Sequence, residues 1–438
     1  MPYWPVPGYP GLPSAEHPMS FRFVHAADLH LDSPLRSLAL RDKDLADLVG
    51  DASRQALRAI VRLCLDERVD ALLLSGDLYD GEQRSMKTAR FLADQIDILH
   101  AAGVQIFMIR GNHDHMSQIT QELTFPESVT LFRGRGLAVP AKQDVGKLPV
   151  VVHGISFADR HAPNSLLPKY LAPIEGAVNI GLLHTSLGGA TGHDPYAPCT
   201  PVDLHGMGYR YWALGHIHVR SVETEGATTI VMPGIPQGRD VGEAGSKSVT
   251  LARVADDGTI TVEERRTSVA QFERLTVDLA GVEDMHAVAR RIGAALGQAR
   301  DAVRSEHLIA RLHLQGATSL AWQLRRDPAL LIEESRREAG RLERTWIDKV
   351  EIGCTAPGAT APAGGPHPLE ELRGLMDDAP QDPAFRAEMA AILEELRRAL
   401  PDRDTLPAQT EAEEAALLDL AAREGIADVF ARLTGAAA

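Results

Sequence analysis

Val104–Asp114, VQIFMIRGNHD, decides how this chain reads. Val104–Ile109 is an apolar run of strand length, and Arg110–Asp114 follows it at once. A glycine, an amide, an imidazole and a carboxylate therefore stand at a strand's carboxyl end. In open α/β sheets ligands bind in the crevice at that end of the strands. Alone, the run would be a turn, because Gly, Asn and Asp are turn formers. Its meaning depends on whether other strands end the same way.

They do. Phe21–Asp28 (FRFVHAAD) reads as a strand that delivers Asp28 and His30, which in extended chain share a face. Leu57, Ile60, Val61, Cys64 and Leu65 recur at helical spacing and predict a helix over Arg54–Glu67. Asp70–Ser75 (DALLLS) is a continuous apolar run of the kind covered on both faces, and it ends in Gly76, Asp77 and Asp80. A second helix, about Thr88–Ala101, leads through Gly103 into the strand that opens on Asn112 and His113. Three successive strand, loop and helix units thus present Asp, His or Asn at one end.

Beyond them come strands without long helices: Pro149–His153, Val178–His184, Tyr211–Leu214, Val219–Glu223, Thr228–Met232, Ser248–Val254 and Thr259–Arg265. His184 ends AVNIGLLH, and His216 and His218 follow YWALG. Residues 21–270 read as an α/β fold of two sheets packed face to face with helices outside. Residues 271–352 read as a small α+β unit: a strand at Phe272–Leu279, a helix near Val282–Glu306, a strand at His307–Leu314 and a helix at Ala321–Leu331. Residues 353–368, of which Cys354–Pro368 reads CTAPGATAPAGGPHP, are a Pro, Gly and Ala linker. Residues 369–438 follow as an acidic helical region, with amphipathic helices at Pro383–Leu400 and Glu411–Arg432.

The 438 residues and 44% apolar content suit a multidomain globular protein. Cys64, Cys199 and Cys354 are widely spaced and form neither a disulfide framework nor a thiolate zinc site, which fits a reducing cytoplasm. Residues 1–20 hold six prolines and no signal-peptide pattern, so they read as a disordered leader, or as sequence upstream of a start at Met19. No apolar run reaches membrane-spanning length. A net charge of −15 argues against coating nucleic acid by electrostatics alone. Residues 366–438 carry −9 of it, however, and a site that gathers carboxylates around cations looks more acidic in sequence than when loaded. A DNA substrate stays open.

The polar residues at strand ends are Asp28, His30, Asp77, Asn112, His113, His184, His216 and His218. Two carboxylates, an amide and several imidazoles suit borderline divalent cations such as Mn²⁺, Zn²⁺ or Fe²⁺ better than Ca²⁺ or Mg²⁺. There are enough ligands for two. Such a pair activates water and clamps the attacking and leaving oxygens of an in-line phosphoryl displacement.

Asp28-x-His30, Gly76-Asp77-x-x-Asp80, Gly111-Asn112-His113-Asp114, His184 and Gly215-His216-x-His218 resemble, in order, the five motifs of the calcineurin-like metallophosphoesterases. The fuller strings HAADLHLDSPL, SGDLYDGEQRS, LHTSLGGATGHDPYAPC and YWALGHIHVR look like the bacterial DNA repair exonucleases of the SbcD and YhaO type. The resemblance is close over residues 20–265 and holds only in outline beyond. It implies two metals, Mn²⁺ foremost: Asp28, His30, Asp77 and His218 hold one, and Asp77, Asn112, His184 and His216 the other, with Asp77 bridging. It makes His113 the catalytic group and Asp80 and Asp114 the residues that orient histidines. It further implies a metal-dependent DNA exonuclease acting in repair, a cap that helps select DNA, a homodimer, and C-terminal helices docked on an SbcC-like coiled-coil ATPase. Two departures stand out. Asp80 occupies the place of a second catalytic histidine in archaeal and eukaryotic relatives, and Ile235 and Pro236 in PGIPQGRD replace an expected Asn-containing loop.

Singly, each residue has a plainer reading. A strand-end Asp is commonly a helix N-cap, and a Gly-His-x-His a solvated turn. His193 reads as a loop residue, His153 as a satisfied core histidine, and Arg84 and Arg239 as solvated unless they meet phosphates. The alternatives to a nuclease are a small-molecule phosphodiesterase or phosphoprotein phosphatase with the same metals, and a scaffold that binds DNA ends or the ATPase without cutting.

Overall fold

Ala71–Ser75 is buried at every position, which requires cover on both faces of its sheet. Leu72 and Leu74 pack with Leu57, Ile60 and Cys64 of helix α1 (Lys43–Asp66) and with Leu92 and Ile96 of α2 (Met86–Ala101). Leu73, pointing the other way, joins Phe107, Val152, Ile180, Leu182 and Ala213 in a second core. A third core covers the far face, where Leu183, Trp212, Leu214 and Ile230 meet Tyr170, Tyr209 and Leu204 of α3 (Pro201–Gly206). The period-two alternation of strand side chains thus generates the layers directly.

The computed structural model describes residues 20–33, 43–79, 86–113, 124–141, 148–157, 162–188, 196–357, 368–399 and 410–435. The chain divides into two units, one running to Phe272 and including Val303–His307, the other taking Glu273–Ala302 and everything from Leu308 on.

The first unit has two six-stranded sheets. One is ordered β12-β11-β1-β2-β3-β4: Ile260–Arg266, Ser248–Val254, Phe21–Ala26, Ala71–Ser75, Gln105–Ile109 and Val129–Leu131. β1 to β4 are parallel, while β11 pairs antiparallel with both β1 and β12. The other is ordered β5-β6-β7-β8-β10-β9: Leu137–Pro140, Val150–Gly154, Val178–His184, Tyr211–Gly215, Thr228–Met232 and Ser221–Glu225. Its central strands β6, β7, β8 and β10 are parallel, and the edges are antiparallel. The two-sheet sandwich flanked by helices is the architecture expected from the sequence.

The second unit takes all but the first residues of β13 (Ala270–Asp278) and β14 (His307–Gln315), which with β15 (Thr345–Ile352) form a three-stranded sheet. Val277, Leu312, Leu314 and Ile347 pack with Val288, Ile292 and Leu296 of α4 (Met285–Ala302) and Leu331 of α6 (Pro328–Ala339). The helix expected over Ala321–Leu331 is two helices, because Pro328 starts a new one after α5 (Ala321–Arg326). The acidic region holds α7 (Pro368–Asp378), absent from the sequence reading, besides α8 (Pro383–Ala399) and α9 (Glu411–Gly435). Residues 1–19 of the expected leader and 358–367 of the expected linker lie outside the described residues. No helix among the described residues is long and apolar enough to cross a membrane.

His25 ties the two sheets together. It is fully buried, with Nε2 3.0 Å from the Leu214 carbonyl and Nδ1 3.0 Å from the Tyr211 hydroxyl. Nε2–H donates to the carbonyl and the tyrosine O–H donates to Nδ1, so both ring nitrogens are satisfied in the neutral form. Burial, with a smaller push from Arg220, lowers the pKa from 6.5 to about 3 despite the Leu214 bond. The unfolded chain therefore binds a proton here that the folded chain refuses, and stability falls as pH drops from 6.5 towards 3. The slope from this one residue approaches about 1.4 kcal/mol per pH unit. Urea midpoints measured across that window should fall more steeply for the unmodified chain than for His25→Gln. Parallel profiles would show that His25 does not stay neutral in the fold.

Candidate metal centre

Five parallel strands of the sandwich lead to polar residues at one rim. β1 leads to Asp28 and His30, β2 to Asp77, β3 to Asn112 and His113, β7 ends in His184, and β8 leads to His216 and His218. The backbone at four of these positions is left-handed: φ is +54° at Asp28, +40° at His30, +52° at Asp77 and +102° at His216. Such conformations cost non-glycine residues of order 1–3 kcal/mol each and persist where surroundings hold them. Here the Asp28 N–H donates to the Gly76 carbonyl at 3.0 Å and the His30 N–H to the Asp77 carbonyl at 3.1 Å. The His216 N–H reaches both Asp28 carboxylate oxygens, at 3.0 and 3.1 Å.

The glycines before the polar residues have a steric reason. A Cβ on Gly111 would stand 2.2 Å from Asp77 Oδ1 and 2.7 Å from His184 Nε2. One on Gly215 would stand 2.1 Å from the Ser75 carbonyl oxygen.

The donors fall into two adjoining sets. The ligating atoms of Asp28, His30 and His218 all lie within 4.8 Å of one another, as do those of Asp77, His184 and His216. Asp77 stands between them, with Oδ2 3.3 Å from His184 Nε2 and 3.9 Å from His30 Nε2. Asn112 joins the second set, its Oδ1 3.0 Å from His184 Nε2. His113 donates its backbone N–H to Asp77 Oδ1 at 3.0 Å, and its ring centroid lies 5.1 Å from that of His30.

The chemistry of these contacts fits a cation. His184 Nδ1 donates to the Ser75 carbonyl at 2.9 Å, so in the neutral ring Nε2 is a lone pair. It faces the oxygens of Asn112 and Asp77, which carry lone pairs too. Three acceptors converge and need positive charge among them. A proton can answer that need: burial pulls the His184 pKa down, yet Asp77, Asp28 and the bond to Ser75 raise it to about 9. A divalent cation answers it better, because it accepts from all three at once. In the other set, His218 Nδ1 donates to Glu243 Oε1 at 2.7 Å. That leaves its Nε2 facing His30 Nε2 at 3.2 Å.

The carboxylates respond to the same crowding. Burial opposes ionisation of Asp77, but His184, His30 and His113 hold its carboxyl far below the usual range. Burial lifts the Asp28 carboxyl above it, against the pull of His184 and His218. His216 is held neutral, its pKa lowered to about 3 by burial and then by His184. Its ring meets His184 and Tyr196 edge-on, each at 5.1 Å between centroids.

The seven ligand candidates and His113 thus come together at one rim. Asp80, Asp114, Arg84 and His193 lie outside the described residues. His153 is buried, with Nε2 bonded to Asn179 Oδ1 at 2.8 Å. Arg239 engages Glu243, its Nη2 2.6 Å from Oε1. Ile235 and Gln237 of the divergent loop are buried, and Gln237 Nε2 donates to the Ala270 carbonyl at 2.6 Å. Sequence reasoning missed Glu243, which sits in a single 3₁₀ turn, Val241–Glu243, that carries no periodic signal. It also missed Asp32, whose carboxylate accepts from Arg54 Nε at 2.7 Å and Nη2 at 2.5 Å and from the Thr88 hydroxyl. That cluster braces the turn after His30.

The profile of the calcineurin-like phosphoesterases matches residues 21–220, and that of the middle domain of metallophosphoesterase YhaO matches residues 272–355. The chain is 32% identical over 314 residues to the uncharacterized metallophosphoesterase YhaO of Bacillus subtilis, covering 71% of this chain and 75% of that one. It is 23% identical over 406 residues to the DNA double-strand break repair protein Mre11 of Aeropyrum pernix, covering 88% and 93%. The Mre11 of Archaeoglobus fulgidus is 22% identical over 389 residues, covering 82% of each. Paired donor sets at the ends of parallel strands, a two-sheet core and these likenesses agree: the chain belongs to the calcineurin-like metallophosphoesterases, and among them to those like YhaO.

Proposed function

We propose that this hydrolytic phosphoesterase is a DNA exonuclease that works with two divalent cations, Mn²⁺ being the best match to its donors. The observation that carries the reading is the pair of adjoining donor sets with Asp77 between them. The likeness to the Mre11 repair proteins over most of the chain supports DNA as the substrate.

In this reading Asp28, His30, Asp77 and His218 hold one cation, and Asp77, Asn112, His184 and His216 the other. Bound there, the cations would neutralise phosphate charge and lower the pKa of an attacking water. The chain's own residues do the rest. Neutral His216 and the lone-pair faces of His184 and His218 are kept available as ligands by bonds on their other atoms. His113 is exposed at the rim with its backbone fixed to Asp77 and its ring beside that of His30, which puts its imidazole where it can meet a phosphate. It would steady the charge building on the phosphoryl oxygens or protonate the leaving oxygen. Asp80 and Asp114 are proposed to orient neighbouring histidines.

Residues 369–438 are proposed to dock an SbcC-like coiled-coil ATPase, with the nuclease acting as a homodimer in the cytoplasm. Leu375, Ile392, Leu396 and Leu420 of the C-terminal helices are half or more exposed, which supports a partner surface there.

Purified chain with Mn²⁺ should degrade linear duplex DNA. Hydrolysis of small phosphodiesters or phosphoprotein with DNA left intact would replace the nuclease reading by one of those, and binding of DNA ends without any hydrolysis would leave only a scaffold. His113→Ala should lower DNA hydrolysis by two orders of magnitude or more, roughly the value of a general acid, with bound metal unchanged by elemental analysis. Loss of both metals would make His113 a ligand or a structural residue instead. Asp77→Ala should empty both positions, and two metals retained in that variant would rule out a shared carboxylate.

A further inference from the structure

The two metal positions are supported in chemically different ways. His184 is anchored through Nδ1 to a neutral acceptor, the Ser75 carbonyl. His218 is anchored through Nδ1 to a charged one, Glu243 Oε1 at 2.7 Å. His218 lies beyond the end of β8, and its side chain is 25% exposed where His184 is fully buried. Packing fixes the His184 ring; His218 depends more on its hydrogen bond.

Glu243 is itself held. Arg239 donates to it from three groups: backbone N–H to Oε2 at 2.8 Å, Nε to Oε1 at 3.2 Å and Oε2 at 3.3 Å, and Nη2 to Oε1 at 2.6 Å. Arg239 Nη2 also lies 3.3 Å from His218 Nδ1. The shorter contact and the charge of the partner assign the Nδ1 proton to Glu243, and the guanidinium approaches the ring because both share the same oxygen. The Glu243 side chain is only 12% exposed, so its charge is poorly screened.

We propose that Glu243 is a positioning residue for the cation position formed by Asp28, His30 and His218: it fixes the His218 ring with Nε2 facing that position, and Arg239 clamps Glu243 in turn. The inference rests on the two-metal reading above. A carboxylate behind a metal-bound imidazole contributes typically 10- to 100-fold in metal affinity. Because Glu243, among the described residues, makes no hydrogen bond to Asp77, His184 or His216, its effect is selective for one position.

The test is Mn²⁺ titration of the full chain, with free Mn²⁺ followed by electron paramagnetic resonance. The unmodified chain is expected to bind two ions; if it binds none, the two-metal reading falls and this inference with it. Given two, Glu243→Gln should weaken one site by about 10- to 100-fold and leave the other unchanged. His218→Ala should weaken the same site, and adding Glu243→Gln to it should cost little more, since both act through one ring. Unchanged affinities in Glu243→Gln overturn the inference while the two-metal reading stands. Equal weakening of both sites, or full additivity with His218→Ala, also overturns it and makes the carboxylate merely structural. Should Glu243→Gln fail to fold, Arg239→Ala keeps the carboxylate and removes its clamp. It should weaken the same single site several-fold, and no selective change there overturns the inference.

Discussion

Two buried carboxylates, Asp28 and Asp77, stand at the floor of the site with 0% and 2% of their surface exposed. Burying one ionised carboxylate costs several kcal/mol even after relaxation, and two side by side also repel. Their surroundings answer that charge. His30, His184 and His218 are gathered round them, the backbone N–H groups of His113 and His216 point at their oxygens, and Asn112 and Asp77 crowd the same histidine nitrogen. The left-handed backbone at Asp28, His30, Asp77 and His216 is what turns those groups inward at the ends of strands that would otherwise run on. So close an approach of chain to chain leaves no room for a side chain at Gly111 or Gly215. A protein selected for stability alone would not assemble this. The strain and the crowding of acceptors round His184 are offset when positive charge sits among them.

How much of this the sequence discloses follows from the range of the interactions. DALLLS and VQIFMI read as strands because their apolar character reflects cover on both faces, and their polar exits are visible because a parallel strand must end before the chain turns away. Those local signals are enough to locate every donor of the two sets. They also suffice for the order of the layers, since the helices of the first units carry clear periodic faces. Where a strand is short or lies exposed at an edge, the reading weakens. β9 is exposed at all five positions, so the sequence shifts it by two residues, and the short edge strands β4 and β5 go unseen. Contacts across long stretches of chain are equally silent. The bond from His216 N–H to Asp28 spans 188 residues, and Glu243 reaches His218 across 25 from a single helical turn. Nor does the tetrapeptide GNHD say which of its neighbours ligates. Asn112 and His113 differ in surroundings that the tetrapeptide does not disclose: one side chain faces His184 and the other is exposed.

The site's dimensions are inherited from the packing between the sheets. Ser75 ends β2 of one sheet, and His184 ends β7 of the other; the 2.9 Å bond between them spans the interface. His25 makes a second crossing from β1 to Tyr211 and Leu214 of β8. Both links need the sheets at one separation, and that separation is set by the side chains between them: Phe23, Leu73 and Phe107 from one side, Val152, Ile180 and Leu182 from the other. Interiors are packed like crystals and do not yield smoothly when a methylene is added or removed. A misplacement of about 1 Å in a catalytic group lowers rate by about 100-fold. A core residue well below the rim therefore sets the height at which the imidazole of His184 meets Asp77, and under the proposed function would influence hydrolysis through it. The apolar interior and the polar rim form one mechanical unit, the first fixing the distances at which the second can work.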